Sequence, residues 1–205
     1  MTSPSPALVA LAARLRALPA SCGAVRLVAV DGHAGSGKST LARSLAAALG
    51  DAPVLHLDDL ASHASFFGWT ARLADDVLTP FAHGATARPA AYDWERRAWG
   101  RRLALPPAPV VLLEGVGAGR RAVRPALAAV VWLDVDREIA WERGRRRDGP
   151  GLAAFWDAWT AAERAHFAAD PTRPYADLLV RQVPRGYAAL PGARASRLHD
   201  GRDPE

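Results

Sequence analysis

The stretch Gly32-His33-Ala34-Gly35-Ser36-Gly37-Lys38-Ser39 fits the phosphate-binding pattern GxxxxGK[ST] at every fixed position, and few stretches this short constrain a fold so tightly. The pattern requires a strand before it and a helix after it. Val25–Val30 is a short, β-branched apolar run that stops at Asp31-Gly32, and Lys38–Leu49 has helical spacing closed by Gly50. Gly32, Gly35 and Gly37 permit backbone angles that turn successive N–H groups toward an anion, and the helix N-terminus adds its dipole. Composition sharpens the reading: among 26 Lys and Arg, Lys38 is the single lysine. A chain that uses arginine everywhere else keeps its lysine where a compact ammonium must fit between β- and γ-phosphates, a place poorly suited to a planar guanidinium. The nucleotide-contact candidates are Gly32, His33, Ala34, Gly35, Ser36, Gly37, Lys38, Ser39 and Thr40. Lys38 neutralises the phosphates, and the Ser39 hydroxyl is placed for Mg²⁺.

Further buried-strand candidates are Val54–Leu57, Val110–Leu113, Val130–Leu133 and Leu178–Val180, with helical patterns near 69–83, 119–127, 136–147 and 152–168. An amphipathic helix over 5–18 precedes them, with Ser5 as N-cap and Pro6 in the first turn. Alternating strands and helices predict an α/β three-layer sandwich: a central parallel sheet of about five strands with helices on both faces. Residues 1–183 read as one domain, with an excursion from the sheet over 84–109. The tail 184–205, rich in Gly, Pro and Arg, reads as loosely ordered.

Three acids stand where such a sheet collects ligands, at the carboxyl ends of its strands. His56-Leu57-Asp58-Asp59 closes the second strand candidate, and one carboxylate there suits a base for a substrate hydroxyl. The same Asp-Asp pair also suits an ordinary helix cap or turn. Val110–Leu113 delivers Glu114, followed by Gly115, as a carboxylate for a metal's water shell. Arg143, Arg145, Arg146 and Arg147 crowd a helix end before Gly149-Pro150, which predicts an arginine-rich lid over 143–150. Cations at a helix C-terminus also favour its dipole. Ala91-Tyr92-Asp93-Trp94-Glu95-Arg96-Arg97 alternates aromatic and ionic residues, as a stacking acceptor site requires. His33, His63, His83, His166 and His199 show no metal-ligand spacing.

The order of these motifs (phosphate loop, HLDD, YDW, LLEG, RRRD, then Tyr175–Val180) resembles the uridine kinase-like branch of the P-loop kinases over about residues 24–181. The resemblance implies ATP and Mg²⁺ as cofactors. Asp58 is then the catalytic aspartate and Asp59 the adjacent acid found in the nicotinamide riboside branch. Ser39, Asp58 and Glu114 become the metal set, Arg147-Asp148 the lid pair with Arg143 a turn earlier, and Tyr92 and Trp94 the acceptor wall. Arg97 stands where uridine–cytidine kinases carry a base-contacting histidine, and Leu60-Ala61 follows the aspartates in place of a frequent tyrosine. No ribose-binding acid is placed between Ser65 and Asp76. Residues Lys38, Asp58, Arg143 and Arg147 are the expected catalytic set, and Asp58, Asp59, Tyr92, Trp94 and Arg97 the expected acceptor contacts.

The expected activity is phosphoryl transfer from ATP to a small-molecule hydroxyl, foremost the 5′-OH of a nucleoside. Alternatives are a non-nucleoside acceptor, which Arg97 favours if the acceptor is anionic, and an NTP-dependent switch or nucleic-acid ATPase. The net charge of +5 favours the last, but no helicase-type motif or aromatic-basic groove accompanies it, so no nucleic-acid partner is expected. Cys22 is the single cysteine, which excludes an internal disulfide and a Cys-based zinc cluster. No signal peptide or membrane span is visible, so a cytoplasmic, possible homo-oligomeric enzyme without membrane partners is expected.

Overall fold

The computed structural model describes residues 5–184 and 186–194. Helix α1 (Pro6–Arg16) starts after Ser5, with Pro6 in the turn where a missing N–H costs nothing. Strand β1 (Arg26–Asp31) runs into the glycine loop and α2 (Lys38–Ala48), and β2 (Val54–His56) follows. Next come α3 (Thr70–Leu73), a π-turn at Ala74–Leu78 and α4 (Thr79–Ala82), which together form the helical stretch expected near 69–83. The widening precedes Pro80, which has no N–H to continue an α-helical ladder. A hairpin of β3 (Ala90–Asp93) and β4 (Ala98–Arg102) leads to β5 (Val110–Glu114) and β6 (Ala129–Leu133). Helices α5 (Arg137–Asp148) and α6 (Ala153–Ala169), then β7 (Leu178–Val183) and β8 (Gly186–Pro191), follow among the described residues.

The sheet order is β2-β5-β1-β6-β7-β8. The first five strands are parallel and β8 pairs antiparallel with β7. Alternate residues of the central strands supply opposite layers. Leu27, Ala29, Val111, Leu113 and Val130 pack with Trp69, Leu73, Val77 and Phe81 on one face. Val28, Val30, Leu112, Val131 and Leu133 pack with Leu8, Leu11 and Leu15 of α1 and Leu41 and Leu45 of α2 on the other. Both faces of β5 and β6 are buried throughout, which is why these strands read as unbroken apolar runs.

Two expectations are corrected. The sheet has its five parallel strands, and residues 186–191 of the expected loose tail add a sixth, β8. Its ladder with β7 and the packing of Tyr187 hold it, whereas its Gly and Pro ends read as breakers. His199 and the rest of 195–205 lie outside the described residues, as do residues 1–4. The helix expected over 119–127 is a series of turns with a 3₁₀ segment at Arg124–Ala126. Gly117 and Gly119 donate their N–H groups to the buried Asp31 carboxylate at 2.9 and 3.0 Å, so this segment wraps β1 instead of coiling. The excursion 84–109 leaves the main sheet as expected, and it carries a hairpin of its own.

Candidate active site

The three loop glycines adopt φ of 148° (Gly32), 77° (Gly35) and 97° (Gly37), in the region a side chain disfavours. Lys38 is 6% exposed, and its Nζ donates to the His33 carbonyl at 2.8 Å, bridging the loop's base. Gly35 sits directly on α5: a Cβ there would meet the Ala140 carbonyl oxygen at 2.0 Å. Gly35→Ala should therefore push the loop off α5 and weaken ATP affinity by at least about tenfold, about 1.4 kcal/mol. Calorimetric ATP affinity within twofold of the unaltered chain would contradict this seating.

A second anchor comes from far along the chain. Glu163 on α6 has no solvent exposure and accepts from the His33 ring (2.7 Å), the Ala34 N–H (3.1 Å), and the indoles of Trp141 (3.0 Å) and Trp159 (3.1 Å). Burial alone would raise its pKa. The His33 bond, the charge of Lys38 and the Ala34 N–H outweigh it, so the carboxyl is held below its ordinary range. Sequence reasoning passed over Glu163 and gave His33 no role beyond the loop. The available signal was an acid on the helical stripe Trp156, Trp159, Glu163, at i, i+3 and i+7.

The acidic side of the site follows from strand register. Parallel pairing of β2 with β5 sets His56 opposite Glu114, and the His56 Nδ1 donates to Glu114 Oε2 at 2.5 Å. Ser39 Oγ donates to the other Glu114 oxygen at 3.3 Å. Burial pushes the Glu114 pKa up, but the His56 bond and the Lys38 charge bring it below the usual value, while the Glu114 bond raises that of His56. His56 is thus a further site residue, hidden in sequence because its partner lies across a strand pair. Asp58 follows in a 3₁₀ turn at Leu57–Asp59. It touches solvent through the cleft mouth, yet lost hydration, with the Glu114 charge, raises its pKa to about 6 against the pull of Lys38.

The folded chain therefore holds the Asp58 proton more tightly than the unfolded one between about pH 4 and about pH 6. Stability should fall as pH rises through that window and level off above it. Asp58→Asn should remove this component, so its melting-temperature advantage over the unaltered chain should widen from pH 4 to about pH 6 and then stay constant. A gap independent of pH would refute the raised pKa.

One cleft joins Ala34, Gly35, Lys38, Ser39, Asp58, Trp94, Glu114, Arg147 and Asp148, walled by Val116, Phe155, Trp156 and Trp159. Arg147 pairs with Asp148 through Nε at 2.6 Å and Nη2 at 2.9 Å. The oxygens of Ser39, Asp58 and Glu114 are hard donors suited to Mg²⁺, which keeps most of its water shell and takes few protein ligands. Other expected residues stand elsewhere. Tyr92 is buried behind Trp94, with ring centroids 5.2 Å apart and its hydroxyl bonded to His63 at 3.0 Å. Asp59 and Tyr92 border a neighbouring groove with Arg96, Trp99 and Arg101. Arg97, at φ 52°, occupies the hairpin turn and lines neither. Arg143 opens on a separate groove with Asp134, Ile139 and Arg181.

Comparison with solved structures agrees with this architecture. A possible uridine kinase from Bacillus stearothermophilus superposes with a TM-score of 0.63 at 20% identity, covering 84% of this chain and 96% of the other. A candidate fructose transport system kinase from Silicibacter sp. TM1040 gives 0.53 at 22% identity, covering 80% and 89%. The chain shares the fold of these two structures. No protein-family model matches it, and no curated protein matches its sequence. In this fold the candidate site lies at the carboxyl ends of β1, β2 and β5, where a parallel sheet leaves its crevice. Among the described residues, no helix is long and apolar enough to cross a membrane.

Proposed function

We propose that this chain is an ATP-dependent kinase of a small molecule, transferring the γ-phosphoryl group to an acceptor hydroxyl. The observation that carries this reading is the single cleft that joins Lys38, Ser39 and Glu114 with Asp58 and Arg147. A protein that only held nucleotide would need the loop, but not a carboxylate of raised pKa facing it. The named activity of the uridine kinase neighbour, a phosphoryl transfer to a hydroxyl, is of the same class.

Lys38 leaves the His33 carbonyl for the β- and γ-phosphate oxygens, while the N–H groups at the start of α2, which have no carbonyl of their own helix to bond, face the phosphates. Ser39, Asp58 and Glu114 would hold Mg²⁺, which supplies charge neutralisation at the phosphates when bound. Asp58 takes the acceptor proton as the acceptor oxygen bonds to the γ-phosphorus and the bond to the ADP oxygen breaks. Arg147, at the cleft rim, stabilises charge on the migrating group. Arg143, on its separate groove, is left out of this step.

Asp58 must be ionised to accept a proton, so turnover should fall at acid pH and reach a plateau once Asp58 is ionised. Asp58→Asn should lower kcat by at least about a hundredfold while ATP affinity changes little. The test is ADP release with Mg²⁺ over a panel of nucleosides, sugars and aromatic alcohols. An Asn variant with full turnover, or an unaltered chain that binds no ATP, would sink the reading.

A further inference from the structure

The cleft wall facing the phosphate loop is Trp94, Val116, Phe155, Trp156 and Trp159. Each indole N–H on that wall is already engaged. Trp94 Nε1 donates to the Asp58 carbonyl at 3.0 Å, Trp156 Nε1 to Asp148 at 3.1 Å and Trp159 Nε1 to Glu163 at 3.1 Å. The wall therefore offers an incoming molecule aromatic surface and no side-chain donor. Its aromatic rings already pack among themselves: Trp94 and Phe155 lie 6.0 Å apart at 84°, and Phe155 and Trp159 5.8 Å apart. Such spacings are typical of favourable ring contacts, so the surface is preorganised for one more ring.

The polar side chains of the cleft have tasks of their own. Lys38, Ser39 and Glu114 serve phosphate and metal, Asp58 serves the hydroxyl, and Arg147 and Asp148 pair with each other. Tyr92, Asp59 and Arg97, expected to contact the acceptor, stand outside. A ribose brings hydroxyls and a nucleobase brings a polar edge. Set against this wall they would lose water without gaining side-chain partners, at roughly 1–3 kcal/mol for each unpaired group. An anionic body fares no better, because Lys38 is committed to phosphate and Arg147 is paired with Asp148.

We infer that the acceptor is a neutral alcohol carried on an aromatic or similarly flat apolar body, its hydroxyl at Asp58 and its ring against Trp94, Phe155 and Trp159. This rests on the kinase reading of the same cleft and narrows it to a substrate class other than nucleosides.

The test measures binding and turnover separately. With Mg²⁺ and a non-hydrolysable ATP analogue present, tryptophan fluorescence and calorimetry follow titration with benzyl alcohol and phenethyl alcohol, and with uridine, cytidine and nicotinamide riboside. The aromatic alcohols should bind at least about tenfold more tightly than any of the nucleosides. Phe155→Ala and the milder Phe155→Leu should each weaken them, the former at least about fivefold. Tighter nucleoside binding, or aromatic-alcohol affinity unchanged in both variants, overturns the inference. Failure to bind the ATP analogue or to release ADP with any acceptor would overturn the kinase reading and the acceptor role with it, and Phe155-dependent binding of aromatic alcohols would then mark a binding site for them and no more.

Discussion

Lys38→Arg is expected to lower kcat/KM for ATP-dependent transfer by at least about a hundredfold, about 2.7 kcal/mol, although it keeps the charge. Lys38 is 6% exposed in a slot spanned by its own 2.8 Å bond to the His33 carbonyl. A guanidinium is longer and planar, and it spreads its donors over a fork, so it cannot turn within that slot from carbonyl to phosphate. Lys38→Ala should lose both charge and position and fall further. Steady-state kinetics alongside calorimetric ATP affinity will separate the two. If the arginine variant works within twofold of the unaltered chain, charge rather than shape holds this position, and the lone lysine is an accident of composition.

Glu163→Ala should show the other large effect, on stability and ATP use together. Removing the carboxylate strands the two buried indole N–H groups of Trp141 and Trp159 and the half-buried His33 ring N–H and Ala34 N–H. Relief of a buried charge offsets part of this, leaving a loss of about 3 kcal/mol. At about 2–4 °C per kcal/mol for a chain this size, melting should fall by roughly 6–12 °C. Glu163→Gln keeps the shape but turns an amide N–H₂ toward donors, so it should retain more stability while still raising KM for ATP. That split matters, because a carboxylate that only cemented the core would leave KM alone once the variant is folded. Unchanged KM in Glu163→Gln would remove Glu163 from loop positioning.

Legibility followed the range of the interactions. The glycine loop between a β-branched run and a helix is a local pattern, and it appears in the structure with the expected backbone angles. Parallel strands buried on both faces announce themselves as apolar runs, so β5 and β6 stand within a residue of their expected bounds. An edge strand is held mainly by ladder bonds to its neighbour, so β8 left little trace in its side chains. The turns at 117–127 misled for a related reason, since the buried Asp31 carboxylate on β1 anchors the N–H groups of Gly117 and Gly119, and the residues after them close short turns of three. Acceptor contacts were the least legible: Tyr92 and Arg97 flank Trp94 in one motif, but the hairpin turns them away from the cleft that Trp94 enters, and Asp59, next to Asp58 in sequence, borders the neighbouring groove.

By itself, then, the chain of residues determined a phosphate loop with its one lysine, the acids Asp58 and Glu114 at strand ends, and the layered sheet that carries them. These rest on neighbours within a few positions, where backbone angles and hydrophobic period act directly. Tertiary structure decided what surrounds them: Glu163 reaching the loop across 130 positions, His56 facing Glu114 across paired strands, and the indoles of α5 and α6 spending their N–H groups on acids. Those choices depend on which helix packs over which strand end, and only the burial of all layers together settles that packing.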